Sequence, residues 1–243
     1  MDADSGTEKD VCSLVQPVIA LAEDAARRIL EVYRRTGDIR VQQKHDRSPL
    51  TEADLAAHHA ILAGLGVLTP DFPVLSEESA AIPFAERQGW RTYWLVDPLD
   101  GTKEFIRRNG EFTINIGLVH DHLPVLGVVY VPVSGLCYYA CRGQGAFKRE
   151  DGDEPTRIHV RRVPAKRITV AVSRSHPSED LQDFLRSLGD YEVIPMGSAL
   201  KSCLVAEGRA DVYARLGPTG EWDTVCHLTL PRPPATTIIE SPT

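Results

Sequence analysis

The stretch "WLVDPLDGTKEF", residues 94–105, ends an apolar run in two carboxylates, Asp97 and Asp100. A proline and a leucine separate them, and Gly101 and Thr102 follow at once. Glu77 and Glu78 end a second apolar run, "FPVLSEE", and Asp223 closes the late segment "GPTGEWD". Brought together, such acids repel: at about 4 Å and an effective dielectric near 20, each pair costs about 4 kcal/mol. A cluster of this kind persists when it holds protons or cations. Oxygen ligands without histidine or cysteine suit hard Mg²⁺, which keeps waters and bridges to phosphate oxygens. The expected cluster of Glu77, Asp97, Asp100 and Asp223 contains no basic residue. The alternative is a plain turn, because Asp-Pro and Asp-Gly are common turn pairs.

Other motifs carry less chemistry. His58-His59 and His120/His122 read as core or solvated histidines rather than metal ligands. "DGDEPTRIHVRR" begins like a calcium loop, but its twelfth position is Arg162 rather than glutamate. "GQG" at 143–145 lacks the third glycine and following helix of a dinucleotide site.

The elements that must position the acids follow from periodicity. Leu14, Val18, Ala22, Ala25, Ile29 and Tyr33 fall three or four apart and predict an amphipathic helix over Val11 to Arg35. Gly37 is its expected stop. A short strand is expected near Ile39 to Val41. A second helix should begin at Thr51, with Asp54 as a capping-box partner. "FPVLSEE" and "RTYWLVD" read as buried strands. From Thr113 to Lys148, β-branched and aromatic runs alternate with turn signals and predict an antiparallel meander. "EDGDEPT" is a polar loop and the expected domain boundary. Strands and helices then alternate from "RITVAVS" to "ADVYARL", predicting an α/β layer. The reading is an α+β chain of two parts, 1–155 with the acids and 156–243 with an atypical tail from about 225.

Composition bounds the rest. The 243 residues carry a formal net charge of -7, with no basic patch for a nucleic acid polymer. Five cysteines form no CxxC pair and suggest reduced thiols in a cytoplasm. The N-terminus is acidic and polar, unlike a signal or transit peptide. No apolar run approaches the roughly 20 residues of a membrane-spanning helix.

"DPLDGTKEF" resembles the metal-binding motif of the inositol monophosphatase superfamily, and the chain looks most like its 3′(2′),5′-bisphosphate nucleotidases. "KHDRSPLTEAD" (44–54), "LSEES" (75–79), "SRSH" (173–176), "GSALK" (197–201) and "GPTGEWD" (217–223) are similar to further family segments, in order. The resemblance runs from about residue 10 to residue 224. Lysine, glutamate and phenylalanine after "DGT" favour the nucleotidases over the inositol phosphatases. It implies a layered αβαβα fold of the sugar-phosphatase type, lithium sensitivity, and two or three Mg²⁺ per site. It implies hydrolysis of 3′-phosphoadenosine 5′-phosphate to AMP. The alternatives are an inositol phosphate phosphatase, or a nucleotide-binding protein of reduced activity.

By the same resemblance, Glu77, Asp97, the Leu99 carbonyl and Thr102 hold the first metal, and Asp97, Asp100 and Asp223 the second. Glu77 and Thr102 position the attacking water, with Asp54 orienting the Thr102 hydroxyl. Gly101 lets phosphate approach the backbone. His176, Ser198, Lys201 and Arg215 contact the nucleotide and its spare phosphate, and Glu78 and Asp46 stand behind the ligands. After "EWDT" the likeness lapses into "VCHLTLPRPPATTIIESPT", where the family continues with a longer helix and a strand. Proline stops a helix here by about Leu230. Residues from about Pro231 are expected to be extended or disordered, and Asp223 to be held less firmly than the other ligands.

Overall fold

The computed structural model describes residues 11–36, 40–44, 48–79, 81–162, 167–175, 179–217 and 219–229. Helix α1 (Val15–Tyr33) forms within the expected span and buries Val18, Ile19, Ala22, Ala25 and Ile29. A fully buried valine or isoleucine among them stabilises the fold by about 1.5–3 kcal/mol, and each alanine by less. Gly37 and Ile39 lie outside the described residues. Strands β1 (Val41–Gln43) and β2 (Pro49–Thr51) pair antiparallel. Helix α2 (Glu52–Leu68) starts at the predicted cap: Thr51 Oγ1 accepts from Ala53 N–H at 3.2 Å, and the Asp54 carboxylate accepts from Thr51 N–H at 2.7 Å.

Strand β3 (Val74–Ser76) is followed by a short helix α3 (Phe84–Arg87), strand β4 (Thr92–Asp100) and helix α4 (Thr102–Ile106). The predicted meander is β5 (Thr113–His120), β6 (Leu123–Val131), β7 (Leu136–Cys141) and β8 (Gly145–Arg149), to which β9 (Thr156–Arg157) adds an edge. Among the described residues these strands form one sheet in the order β3-β4-β5-β6-β7-β8-β9, antiparallel apart from β3–β4. The alternating region that follows comprises β10 (Ile168–Ser173), α5 (Glu179–Ser187), β11 (Tyr191–Met196), α6 (Leu200–Ala206) and β12 (Val212–Tyr213). Its strands form a parallel sheet in the order β11-β10-β12. Helix α7 (Glu221–Thr229) ends the described chain. The expected tail from Pro231 lies outside it.

Side chains alternate across a strand, and the large sheet uses both faces. Trp94, Val96, Ile116, Leu126 and Val128 pack with α1 and α2, while Leu95, Val119 and Val129 pack with Cys203 of α6 and Val225 of α7. The opposite side of α6, with Leu204 and Val205, meets Ala171 of the small sheet. Val170 on that sheet's other face meets Leu181 and Leu185 of α5. The result is the five-layer αβαβα order that the resemblance implied. No described helix is long and apolar enough to cross a membrane.

The cysteine reading is corrected. Cys12 and Cys141 form a disulfide between the segment leading into α1 and the end of β7, across a sequence separation of 129. Spacing could not reveal a pair joined only by tertiary packing. Cys137, Cys203 and Cys226 remain free and buried.

Candidate metal centre

Asp97 shares its strand face with Leu95, so the period of two aims it away from α1 and α2, toward α7. A register shift in the β4–β5 ladder between Asp97 and Asp100 breaks that alternation where the acids lie. Asp97 is buried, and its carboxylate accepts the Leu99 N–H at 3.0 Å. Glu77 follows β3, the parallel neighbour, and its N–H donates to the Val96 carbonyl at 3.0 Å. That bond brings the second acid beside the first.

Asp223 arrives from the other side, in the first turn of α7. Its Oδ2 accepts from Gly220 N–H and Thr219 Oγ1, each at 2.9 Å. The helix comes close because the sheet is bare beneath it. Gly117 and Gly127 are cross-strand partners. A Cβ at Gly117 would stand 2.6 Å from Val225 Cγ1, and one at Gly127 would stand 3.0 Å from Cys226 Cα. One carboxylate oxygen from each of Glu77, Asp97 and Asp223 lies within 4.8 Å of the others. Asp100 is outside that triple; it lines the same cavity and accepts from Asn115 Nδ2 at 3.3 Å.

One expectation fails here, since a basic residue does enter the cluster. Lys44 Nζ lies 2.6 Å from Glu77 Oε1 and 2.6 Å from Glu78 Oε1. Burial works against this ammonium, yet the two carboxylates hold its pKa above the ordinary lysine value. The lysine is in the sequence segment that carries Asp54, but only the folded chain sets it beside Glu77.

Thr102 opens α4 after Gly101, which has φ +93° and so suits glycine. Thr102 Oγ1 donates to Asp54 Oδ1 at 3.1 Å and lies 3.4 Å from the Leu99 carbonyl oxygen. The second Asp54 oxygen is taken by Thr51, so the capping residue of α2 also reaches the candidate site.

Glu77, Asp97, Asp100, Thr102 and Asp223 line one cavity of about 460 Å³. Ser198, Lys201, Tyr213 and Arg215 line it together with the acids. Ser198 has φ +47°, and its buried Oγ has no hydrogen-bond partner among the described residues. Lys201 is buried, donates to the Ser198 carbonyl, and lies 5.3 Å from the Tyr213 ring centroid. His176 and Asp46 lie outside the described residues. Glu104, Glu111, Asn115 and Thr219 were missed by sequence reading. Only Glu104 and Thr219, inside quoted motifs, left a signal there.

Charge is crowded at this junction. Burial, then Glu77, Asp100 and Asp223, push the Asp97 carboxyl well above the usual range. Burial and Asp223 push Asp100 up to about 7 against the pull of Lys201. Glu77 is raised by burial and by Glu78 and Asp223, with Lys44 opposing. Burial lowers Lys201, with Asp100 opposing. An all-oxygen donor set held together against its own repulsion fits a hard divalent cation.

The model of the inositol monophosphatase family matches residues 11–226. The 3′(2′),5′-bisphosphate nucleotidase CysQ of Salmonella typhimurium is 49% identical over 211 residues, covering 87% of this chain and 84% of that protein. The CysQ of Haemophilus influenzae is 38% identical over 213 residues, with coverages of 87% and 78%. The crystal structure of CysQ from Bacteroides thetaiotaomicron superimposes with a TM-score of 0.74 at 42% identity, covering 88% of this chain and 84% of that one.

Proposed function

Because this chain belongs to the inositol monophosphatase family, we propose that it is a Mg²⁺-dependent bisphosphate nucleotidase. The substrate is 3′-phosphoadenosine 5′-phosphate, and the products are AMP and phosphate. The observation that carries this reading is a single cavity lined by both acids and cations. Glu77, Asp97, Asp100 and Asp223 line it, and so do Lys201 and Arg215. One phosphate is met at the acids, and a second phosphate adds contacts with Lys201 and Arg215.

Glu77, Asp97, the Leu99 carbonyl and Thr102 would hold one Mg²⁺, and Asp97, Asp100 and Asp223 another. Bound there, the metals supply a water of lowered pKa and stabilise charge on the leaving oxygen. The protein's own groups do the rest. Thr102 Oγ1 donates its hydrogen to Asp54, which leaves its lone pairs to accept from a water. The Glu77 carboxylate accepts that water's other hydrogen, and the oxygen is turned toward phosphorus for in-line attack. Gly101 has no side chain to keep a phosphate from the backbone. Lys201 and Arg215 hold the 5′-phosphate, and Ser198 Oγ, unpartnered among the described residues, contacts the nucleotide.

Phosphate release with Mg²⁺ tests the reading across 3′-phosphoadenosine 5′-phosphate, its sulfated precursor, inositol monophosphate and p-nitrophenyl phosphate. The bisphosphate is expected to give the highest kcat/KM. A higher value for inositol monophosphate would replace the nucleotidase with an inositol phosphatase, and binding without turnover would replace it with a nucleotide-binding protein.

A further inference from the structure

The turn that carries Ser198 is fixed from outside the acid cluster. Glu111 precedes β5, and the Arg174 guanidinium meets its carboxylate at two points, 2.7 Å from each oxygen. The same carboxylate accepts the Gly197 N–H at 2.9 Å. Arg174 also donates to the Pro195 carbonyl at 2.8 Å, so the end of β11 is tied on both sides of Met196. The approach is close enough to require glycine: a Cβ at Gly197 would stand 2.5 Å from the Glu111 carbonyl oxygen.

Ser198 comes next, in a left-handed conformation that a serine holds only when its surroundings impose it. Its Oγ is buried beside the cavity without a hydrogen-bond partner among the described residues, and buried hydroxyls are seldom left so. Lys201 Nζ donates to the carbonyl of this same serine. The position of both cavity-lining side chains therefore depends on how the 197–198 turn is held. A charged, two-point pair gives geometric definition as well as attraction.

We propose that Glu111 and Arg174 are positioning residues for nucleotide selectivity. Their ion pair imposes the Ser198 turn, and that turn sets where Ser198 Oγ and Lys201 meet the nucleotide. The proposal rests on the nucleotidase reading and adds to it the device that distinguishes a nucleotide from a simple phosphate ester. Neither residue touches the reacting atoms, so its loss acts on binding and leaves the hydrolytic step in place.

The test compares Glu111→Ala and Glu111→Gln with the unaltered chain. Glutamine keeps an acceptor for the Gly197 N–H and loses the ion pair. KM and kcat are measured for 3′-phosphoadenosine 5′-phosphate and for p-nitrophenyl phosphate, and AMP affinity by calorimetry. With Glu111→Ala, the bisphosphate KM and the AMP Kd are expected to rise about tenfold or more, the scale of a lost charge-assisted contact. The kcat stays within about threefold, p-nitrophenyl phosphate turnover within about twofold, and Glu111→Gln falls between. Equal losses on both substrates, or an unchanged AMP affinity, would overturn the proposal. If Glu111→Ala fails to fold on thermal melting, Glu111→Gln and Arg174→Lys carry the same comparison. An unaltered chain that prefers p-nitrophenyl phosphate overturns the nucleotidase reading instead, and the AMP affinities still decide whether the ion pair holds the turn.

Discussion

Thr102 and Asp54 stand 48 positions apart and are joined by a 3.1 Å hydrogen bond from Thr102 Oγ1 to Asp54 Oδ1. The other oxygen of the same carboxylate caps α2 through Thr51. One side chain thus begins a helix and orients a cavity hydroxyl, so its helix-capping role and its proposed water-orienting role can be measured separately.

Asp54→Asn is expected to lower kcat by about 100-fold, at the low end of what positioned proton acceptors supply. The cap itself is worth about 1 kcal/mol, and removing a buried charge offsets part of that. The melting temperature should therefore move by only about 2–4 °C. A rate unchanged within twofold would remove Asp54 from the water-orienting scheme.

Chelation is expected to abolish hydrolysis and added Mg²⁺ to restore it, with lithium inhibiting. Calorimetric titration of Mg²⁺ into the chelated protein gives a second readout, and Asp97→Asn should weaken that binding. Full activity in excess chelator would reject the metal-centred reading.

The acids also predict a pH dependence of stability. Asp100 is pushed up to about 7, burial together with neighbouring charge raises Asp97 and Glu77, and burial raises Asp54 against its hydrogen bonds with Thr51 and Thr102. Unfolded carboxylates titrate near pH 4. Between these values the folded, metal-free protein holds protons that the unfolded chain has released. The stability these groups contribute is fully present below about pH 4 and is lost as pH rises through about 7. Melting temperature in chelator should fall across this interval. Asp100→Asn should flatten the fall and melt higher than the unaltered chain at about pH 8. A lower melting temperature for that variant would show that repulsion at Asp100 is not what limits stability.

Lys201→Ala should reduce kcat/KM for the bisphosphate by about 10- to 100-fold, the worth of one charge-assisted hydrogen bond. Turnover of p-nitrophenyl phosphate, which offers no second phosphate, should change far less. Parallel losses on the two substrates would detach Lys201 from recognition of the spare phosphate.

Gly117→Ala places a methyl group 2.6 Å from both Cγ atoms of Val225, so that side chain must give way, and α7 is expected to shift with it. Asp223 rides on that helix. The expected outcome is weaker Mg²⁺ binding in calorimetry with the acids themselves untouched. Unaltered Mg²⁺ affinity would mean that α7 absorbs the methyl group without moving its first turn.

Local patterns carried much of this structure. The three-and-four spacing in Val11 to Arg35 located α1, Thr51 with Asp54 located the start of α2, and β-branched runs located the meander. The resemblance assembled the acids. What stayed hidden was long-range pairing: Lys44 with Glu77, Glu111 with Arg174, Cys12 with Cys141. None of these has a spacing rule, because folding alone makes the partners neighbours. Gly117 and Gly127 were visible as interruptions in strands, a known mark of close approach, but nothing local said that α7 was what approached.

The Cys12–Cys141 bond closes a covalent ring that takes in most of the candidate metal ligands. Glu77, Asp97, Asp100 and Thr102 lie inside the ring, and Asp223 lies outside it. A protease that cuts once in the loop around α3 would therefore leave both fragments attached, running as one band in electrophoresis until a reductant separates them. The same nick in the reduced chain would leave packing alone to keep Glu77 beside Asp97. Comparing nicked protein before and after reduction thus measures how far the ligand arrangement depends on chain continuity and how far on the core beneath it.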